Sequence, residues 1–322
     1  MITTKETQGI PQCILCRKTK SVVLRKGIRE DTEQAVYKCP YCLLQYIDSP
    51  FSNTAELREF YRNDYRQKYD VTRGKILTPE ERFTKVRPLM LESSHAFQLA
   101  VPEGASVLDI GCSSGYFLDA IGEKYDRFGN EWNPDDAEYV RTTGEIPCEE
   151  GDITEVFPGM SFTSISALQV LEHQPDPIQW LRDIKDRLIG GGWLYLEVPN
   201  TKDAMLTVYG NEEYRNFWYR EPHISYWTQE TLAAALGIVG FEAKVSNRQR
   251  YGLYNHINWM MNRAPMDDIT EAQGFFAPVS DQHPLFGPLN RQTMRMDKEY
   301  RGTLEALGCA DTIIATCRRR EI

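Results

Sequence analysis

Residues 106–118, SVLDIGCSSGYFL, constrain the fold more than any other stretch of this chain. An apolar strand runs through Asp109 into a loop carrying Gly111 and Gly115, and a helical pattern follows. A strand that enters a helix through a glycine loop belongs to a parallel sheet, with the loop facing a ligand at the strand's carboxyl end. The downstream residues keep the alternation. Strands are expected at 106–110, 127–131, 162–168, 193–198, 241–248 and 311–317, and helices at 115–124, 134–143, 177–189, 228–238 and 292–307. Such a series implies an α/β fold with helices on both faces of the sheet.

The charge at the loop narrows the ligand. A dinucleotide fingerprint, G-x-G-x-x-G, sets a pyrophosphate against the helix N-terminus. Here the strand ends in Asp109, then Gly111, Ser113 and Gly115. A carboxylate at that place repels a pyrophosphate and suits a cofactor with an ammonium group and no phosphate. S-adenosylmethionine (SAM) has that chemistry. Glu131, 22 residues after Asp109, falls at the next strand end, where an acid accepts both ribose hydroxyls. Trp132 follows it and can stack on adenine, and Asp152 lies after a third short strand, in reach of the adenine amino group. Taken singly, these are also ordinary solvated acids and a core tryptophan. Three acids at successive strand ends point to a bound nucleoside.

On these residues the chain resembles the class I SAM-dependent methyltransferases, from about residue 53 onward. VLDIGCSSGYFLDAI is similar to their first motif, and Glu131 and Asp152 stand at the ribose and adenine positions. ISALQVLEHQPDPIQWLRDIKDRLIGGGWLYLEVPN (165–200) resembles their fourth- and fifth-strand region, and PHISYWTQETLAAALGIVGFEA (222–243) the block before the sixth strand. The resemblance implies a Rossmann-like seven-stranded sheet whose last strand, ADTIIATCRR (310–319), runs antiparallel. It also implies a cofactor site of Asp109, Gly111, Ser113, Gly115, Glu131, Trp132, Asp152, Ile153 and Gln169. Ser113 departs from the family's usual glycine, which matters little if its φ is negative. The segment between the last two strands, about 251–309, is long enough for an added lid or a dimer element, so a homodimer is an open expectation.

Four of the eight cysteines crowd the first 42 residues as CILC and CPYC. Cys13, Cys16, Cys39 and Cys42 form two C-x2-C pairs around a 22-residue gap, the spacing of a four-thiolate zinc ribbon. Four cysteine ligands leave no open position, so such a zinc is structural; redox pairs are the alternative. A ribbon of this size cannot bury a core by itself, and the metal would supply much of its folding free energy. The same ribbon in front of a methyltransferase resembles a subgroup associated with small-molecule and sugar methylation. The expected organisation is a zinc ribbon over 1–50, a helical linker or cap over 51–100, and the SAM-binding domain over 101–322. Helices are expected over 53–70 and over 79–100, the second broken near Pro88.

Methyl transfer from a sulfonium is an in-line displacement that depends chiefly on alignment, with a general base needed only when the acceptor loses a proton. The base candidates are His173, His223 and His256, with Tyr226 beside them; the ordinary alternatives are loop shaping, backbone hydrogen bonding and packing. Tyr65 and Tyr69 are placed to close over the methionyl end of the cofactor. A formal net charge of −9 gives no field to attract a phosphate backbone, so nucleic acid is not the expected partner. The basic CRRREI terminus is read as a strand end. No secretory segment and no apolar run of membrane-spanning length is visible, and the expectation is a cytoplasmic enzyme methylating a small-molecule acceptor, a sugar nucleotide or specialised metabolite. Besides a non-enzymatic SAM-binding or zinc-ribbon interaction module, two enzymatic alternatives remain from the sequence. One is an RNA methyltransferase gripping its substrate with the ribbon; the other is an enzyme that cyclises SAM and releases methylthioadenosine.

Overall fold

A computed structural model describes residues 10–321 apart from 52, 70, 73 and 275–281. Seven strands form one sheet in the spatial order Phe241–Arg248, Thr312–Arg319, Leu188–Pro199, Phe162–Leu168, Ser106–Ile110, Asp126–Asn130, Cys148–Glu149. Thr312–Arg319 is antiparallel to both its neighbours, and the pairings from Leu188–Pro199 to Cys148–Glu149 are parallel. This is the expected seven-stranded Rossmann-like architecture with its antiparallel last strand. The order reverses between Ser106–Ile110 and Phe162–Leu168, which places a crevice at their carboxyl ends.

Local chemistry explains the element ends. Asn133, Asp176 and Thr228 each cap a helix by accepting from the backbone N–H three positions on. The helix expected over 115–124 spans only Tyr116–Ile121, because Gly122 turns the chain at φ +86°. The helix expected over 53–70 is two, Thr54–Asn63 and Tyr65–Tyr69, divided at Asp64; residue 70 lies outside the described residues. Near Pro88 the break is a 3-10 turn, Arg87–Met90, between Pro79–Val86 and Leu91–Ala100. The strand expected at 193–198 runs over Leu188–Pro199, its register shifting across the glycine-rich turn. The long late helix begins at Phe286, six residues before the expected 292, with Pro288 in its first turn, where a missing N–H costs nothing.

The N-terminal ribbon is joined to the rest by more than its linker. Its strands Val22–Lys26, Ala35–Lys38 and Gln45–Ile47 take a fourth from far along the chain, Ser225–Tyr226, with Ser225 opposite Tyr46 and Tyr226 opposite Gln45. Cys13, Leu15, Leu44 and Tyr46 share one buried cluster with Leu171, Leu181 and Trp227. The ribbon therefore borrows its core from the sheet-bearing part. Among the described residues, no helix is long and apolar enough to cross a membrane.

Candidate active site

One cavity of about 950 Å³ opens at the crevice and extends under the N-terminal helices and the late insertion. Its first end is built by the glycine loop. Gly111 has φ +67°, and a Cβ there would stand 2.9 Å from Val170 Cγ2. Its N–H and that of Cys112 donate to Asn130 O, tying the loop to the second strand. Ser113 sits at φ +50°, the left-handed region. The condition under which its departure from glycine would be harmless is not met, and its backbone carries strain on the order of 1 kcal/mol or more. Its N–H donates to Glu131 Oε2 at 2.8 Å, and its Oγ accepts from Arg66 Nη2 at 2.8 Å.

That arginine also donates to Asp136 at 2.7 Å, and Arg82 donates to the same carboxylate at 2.6 Å. Asp136 is fully buried, so the two helices ahead of the sheet are fastened to the cofactor loop through one doubly paired carboxylate. Asp109 is buried and accepts from Ser166 Oγ at 2.7 Å; burial, and then the Glu131 charge, pushes its carboxyl up to about 8. Burial also raises Glu131, against the lowering effect of Arg66. Trp132 is oriented by its Nε1–H to Gly151 O at 2.7 Å.

Of the nine residues expected at the cofactor, Asp109, Gly111, Ser113, Glu131, Trp132, Asp152, Ile153 and Gln169 line this cavity. Gly115 does not; it starts the helix Tyr116–Ile121 at φ +76°, packed against Val140. The chemistry of the lining fits SAM. A buried carboxylate awaits a cation, a second acid stands at a strand end, and Gln169 Nε2 is a buried donor with no partner.

The other end gathers Tyr61, Glu172, His173, Arg220 and His223. His173 Nδ1 lies 2.6 Å from Pro222 O, and a carbonyl only accepts, so the proton is on Nδ1 and Nε2 presents a lone pair. The His223 ring lies edge-on to it at 4.9 Å, with Nδ1 buried and unpartnered. Burial lowers His173 to about 3 and holds His223 well below the usual imidazole range, so both are neutral at pH 7. Burial raises Glu172 to about 8. Tyr61 stacks on Tyr65 at 4.5 Å and stands between Trp132 and His173, at 5.8 and 5.6 Å. The guanidinium of Arg220 lies 4.4 Å over the Tyr69 ring, its Nε and Nη2 buried without partners.

Two catalytic expectations fall outside the cavity. His256 is locked between Tyr300 Oη and Gln249 within the insertion. Tyr226 packs with Ile47 and Tyr219 under the ribbon, its hydroxyl on the Arg220 backbone. Sequence reasoning missed Glu172, although it precedes His173 directly, and also Tyr61 and Arg220. The insertion walls the cavity through Tyr251, Asn255 and Trp259, with Arg250 just ahead of it.

The ribbon cysteines converge, with Cys13 and Cys42 sulfurs 3.5 Å apart, Cys16 and Cys39 3.4 Å, and all four within 4.8 Å. Zn–S bonds of about 2.3 Å in a tetrahedron set sulfurs about 3.8 Å apart. Each pair sits on the same turn. Arg17 and Leu43, just after the second cysteine, have φ +60° and +66° and donate to the carbonyls of Cys13 and Cys39.

Residues 80–245 match the family model of a methyltransferase domain. The chain belongs to that family. Among curated proteins, the methyltransferase is 30% identical over 149 residues to a ubiquinone biosynthesis O-methyltransferase of Xanthomonas campestris pv. campestris, covering 42% of this chain and 59% of that one. It is 26% identical over 165 residues to a tRNA U34 carboxymethyltransferase of Alteromonas mediterranea, covering 44% and 46%. The chain thus spans about half the length of the curated relatives it matches. Among solved structures, a SAM-dependent methyltransferase of Thermotoga maritima, described as a possible histamine N-methyltransferase, aligns over 75% of this chain and 94% of its own at 17% identity and TM-score 0.48. A SAM-dependent methyltransferase from Archaeoglobus fulgidus aligns over 74% and 97% at 17% identity and TM-score 0.47.

Proposed function

We propose that the methyltransferase transfers the methyl group of SAM to a small organic acceptor bearing an anionic group, such as a sugar nucleotide or an acidic specialised metabolite. The supporting observation is one continuous walled cavity, with Asp109 and Glu131 at one end and Tyr61, Glu172, His173, Arg220 and His223 at the other. In this reading Asp109 pairs with the methionyl ammonium, Glu131 accepts from the ribose, and Trp132, Asp152 and Ile153 border the adenine. SAM supplies an electrophilic methyl group on a sulfonium. The protein holds the acceptor atom in line with it, an alignment worth on the order of 7–11 kcal/mol, and excludes water. Arg220, with Arg29 of the ribbon beside it, supplies the charge for an anionic acceptor. His173 and His223, as neutral imidazoles, accept hydrogen bonds from an acceptor hydroxyl. The four ribbon cysteines hold a structural zinc.

Methyl-labelled SAM tests the acceptor class. Label passing into acid-soluble anionic metabolites supports the reading, and label in bulk tRNA, with salt-sensitive binding, would replace it with an RNA acceptor. Thermal unfolding with S-adenosylhomocysteine, methylthioadenosine or NAD checks the cofactor. A ligand at 100 times its Kd adds about 2.7 kcal/mol, and the shift is expected with S-adenosylhomocysteine and not NAD. Preference for methylthioadenosine would point to cyclisation of SAM.

A further inference from the structure

At the acceptor end, three groups that could each coordinate a metal converge without satisfying one another. Glu172 is 1% exposed, and neither carboxylate oxygen has a hydrogen-bond partner. His173 Nε2 is 3.8 Å from Glu172 Oε1, and it carries no proton because Nδ1–H is committed to Pro222 O. His223 Nδ1 is buried and unpartnered, and the ligand atoms of all three lie within 4.8 Å of one another. Three potential ligand atoms this close, with the Glu172 oxygens and His223 Nδ1 shut off from water and unpartnered, form a donor set that a cation would satisfy.

We propose that Glu172, His173 and His223 bind a divalent first-row metal ion whose remaining positions hold the oxygen atoms of the acceptor. Three protein ligands, two imidazoles and one carboxylate, leave positions open to a ligand from the cavity. Bonds of about 2.0–2.2 Å draw the three donors closer by roughly an ångström, within the reach of side-chain rotation. The carbonyl of Pro222 is the outer partner that metal-bound imidazoles ordinarily have. Such an ion would lower the pKa of an acceptor hydroxyl and fix its direction toward the cofactor end, which selects an oxygen acceptor, best one with two neighbouring oxygens. This deepens the function proposed above, with the ion standing between the two imidazoles and the acceptor oxygen in place of direct hydrogen bonds, and rests on it for the place of the acceptor.

The test is Mn2+ titration of the zinc-loaded protein saturated with S-adenosylhomocysteine, followed by loss of the free-ion electron paramagnetic resonance signal. Mn2+ is used because thiolate sites select softer ions, which leaves the ribbon silent. One Mn2+ per chain with a Kd in the micromolar range is expected, weakened at least tenfold in Glu172→Gln and in His223→Ala. No binding at 1 mM, taken as roughly the upper limit for a specific site, or equal binding by both variants, would overturn the site. The thermal shift by S-adenosylhomocysteine reports separately on the cofactor end and on the folding of each variant. If that shift persists while Mn2+ fails to bind, the metal proposal alone is lost; if the shift is absent from the wild type, the underlying functional reading fails.

Discussion

The carboxylate of Glu131 accepts from the backbone N–H of Ser113 at 2.8 Å, so the acid ending the second strand steadies the left-handed residue of the loop after the first. Its second oxygen accepts from Asn133 N at 2.8 Å, where the next helix begins. Both oxygens keep lone pairs for a ligand. The same side chain thus shapes the loop and faces the cavity.

Glu131→Gln keeps the size and removes the charge. Hydrogen bonds to a charged group are worth roughly 1.5–3 kcal/mol against about 1 for neutral pairs. Affinity for S-adenosylhomocysteine should fall on the order of tenfold or more, measured by calorimetry, with the fold kept by circular dichroism. Unchanged affinity would remove Glu131 from the cofactor site.

Cofactor binding should depend on pH through Asp109. Its carboxyl is pushed up to about 8 by burial, so at pH 7 it is mostly protonated in the free protein. The methionyl ammonium needs the carboxylate, and each unit below 8 then costs up to about tenfold in affinity. Affinity should rise from pH 6 to 8 and level off above, and Asp109→Asn should flatten the curve. The sign for stability is opposite. A folded pKa above the unfolded value of about 3.9 stabilises fully below pH 4, and that contribution is lost as pH rises through 8.

Asp136 is buried and paired with Arg82, itself 4% exposed, and with Arg66. Removing the carboxylate breaks two charge pairs at a fully buried point, and breaking a buried pair from one side costs up to about 3–5 kcal/mol. Asp136→Ala should therefore lower the urea midpoint sharply. It should also weaken S-adenosylhomocysteine binding, because the carboxylate that Arg66 shares with its Ser113 contact is then gone. A surface control, Glu103→Ala, should do neither, since its pair with Lys124 is exposed.

Much of this site was legible because it is local. The strands Ser106–Ile110, Phe162–Leu168 and Phe241–Arg248 stand where the alternation of strand and helix patterns puts them, and Asp109, Glu131 and Asp152 lie at or just after strand ends that can be counted along the chain. What was not legible is set by tertiary contact. Nothing in the residues around Ser225 and Tyr226 says that they pair with Gln45 and Tyr46, roughly 180 positions earlier. His256 and His223 look alike as isolated histidines between aromatics; only burial against Tyr300 separates one from the other. Glu172 was overlooked because an acid beside a histidine reads as loop surface until it is found 1% exposed. The sign of φ at Ser113 likewise depends on contacts with Glu131 and Arg66 that no local pattern displays.

Zinc removal should reach beyond the ribbon. The ribbon strand Gln45–Ile47 pairs with Ser225–Tyr226, Glu30 accepts from the Glu221 backbone N–H at 2.8 Å, and Arg29 N donates to Tyr219 O at 2.8 Å. These contacts hold the 218–226 segment, which carries Arg220 and His223 to the acceptor end. Cys39 is fully buried and lies in the same apolar cluster as Trp227, so loosening the knuckles opens that cluster as well. Cys39→Ser, or chelation in mild denaturant, should therefore lower the melting temperature of the whole protein in one shared transition, since binding free energy at such a site is folding free energy. The cofactor end rests on the sheet and on Arg66 and Arg82, outside the ribbon. Acceptor turnover should thus fall by a larger factor than S-adenosylhomocysteine affinity. Calorimetric scans and binding titrations with and without zinc check both parts. A small, separate ribbon transition with turnover intact would show that the shared strand transmits nothing to the site.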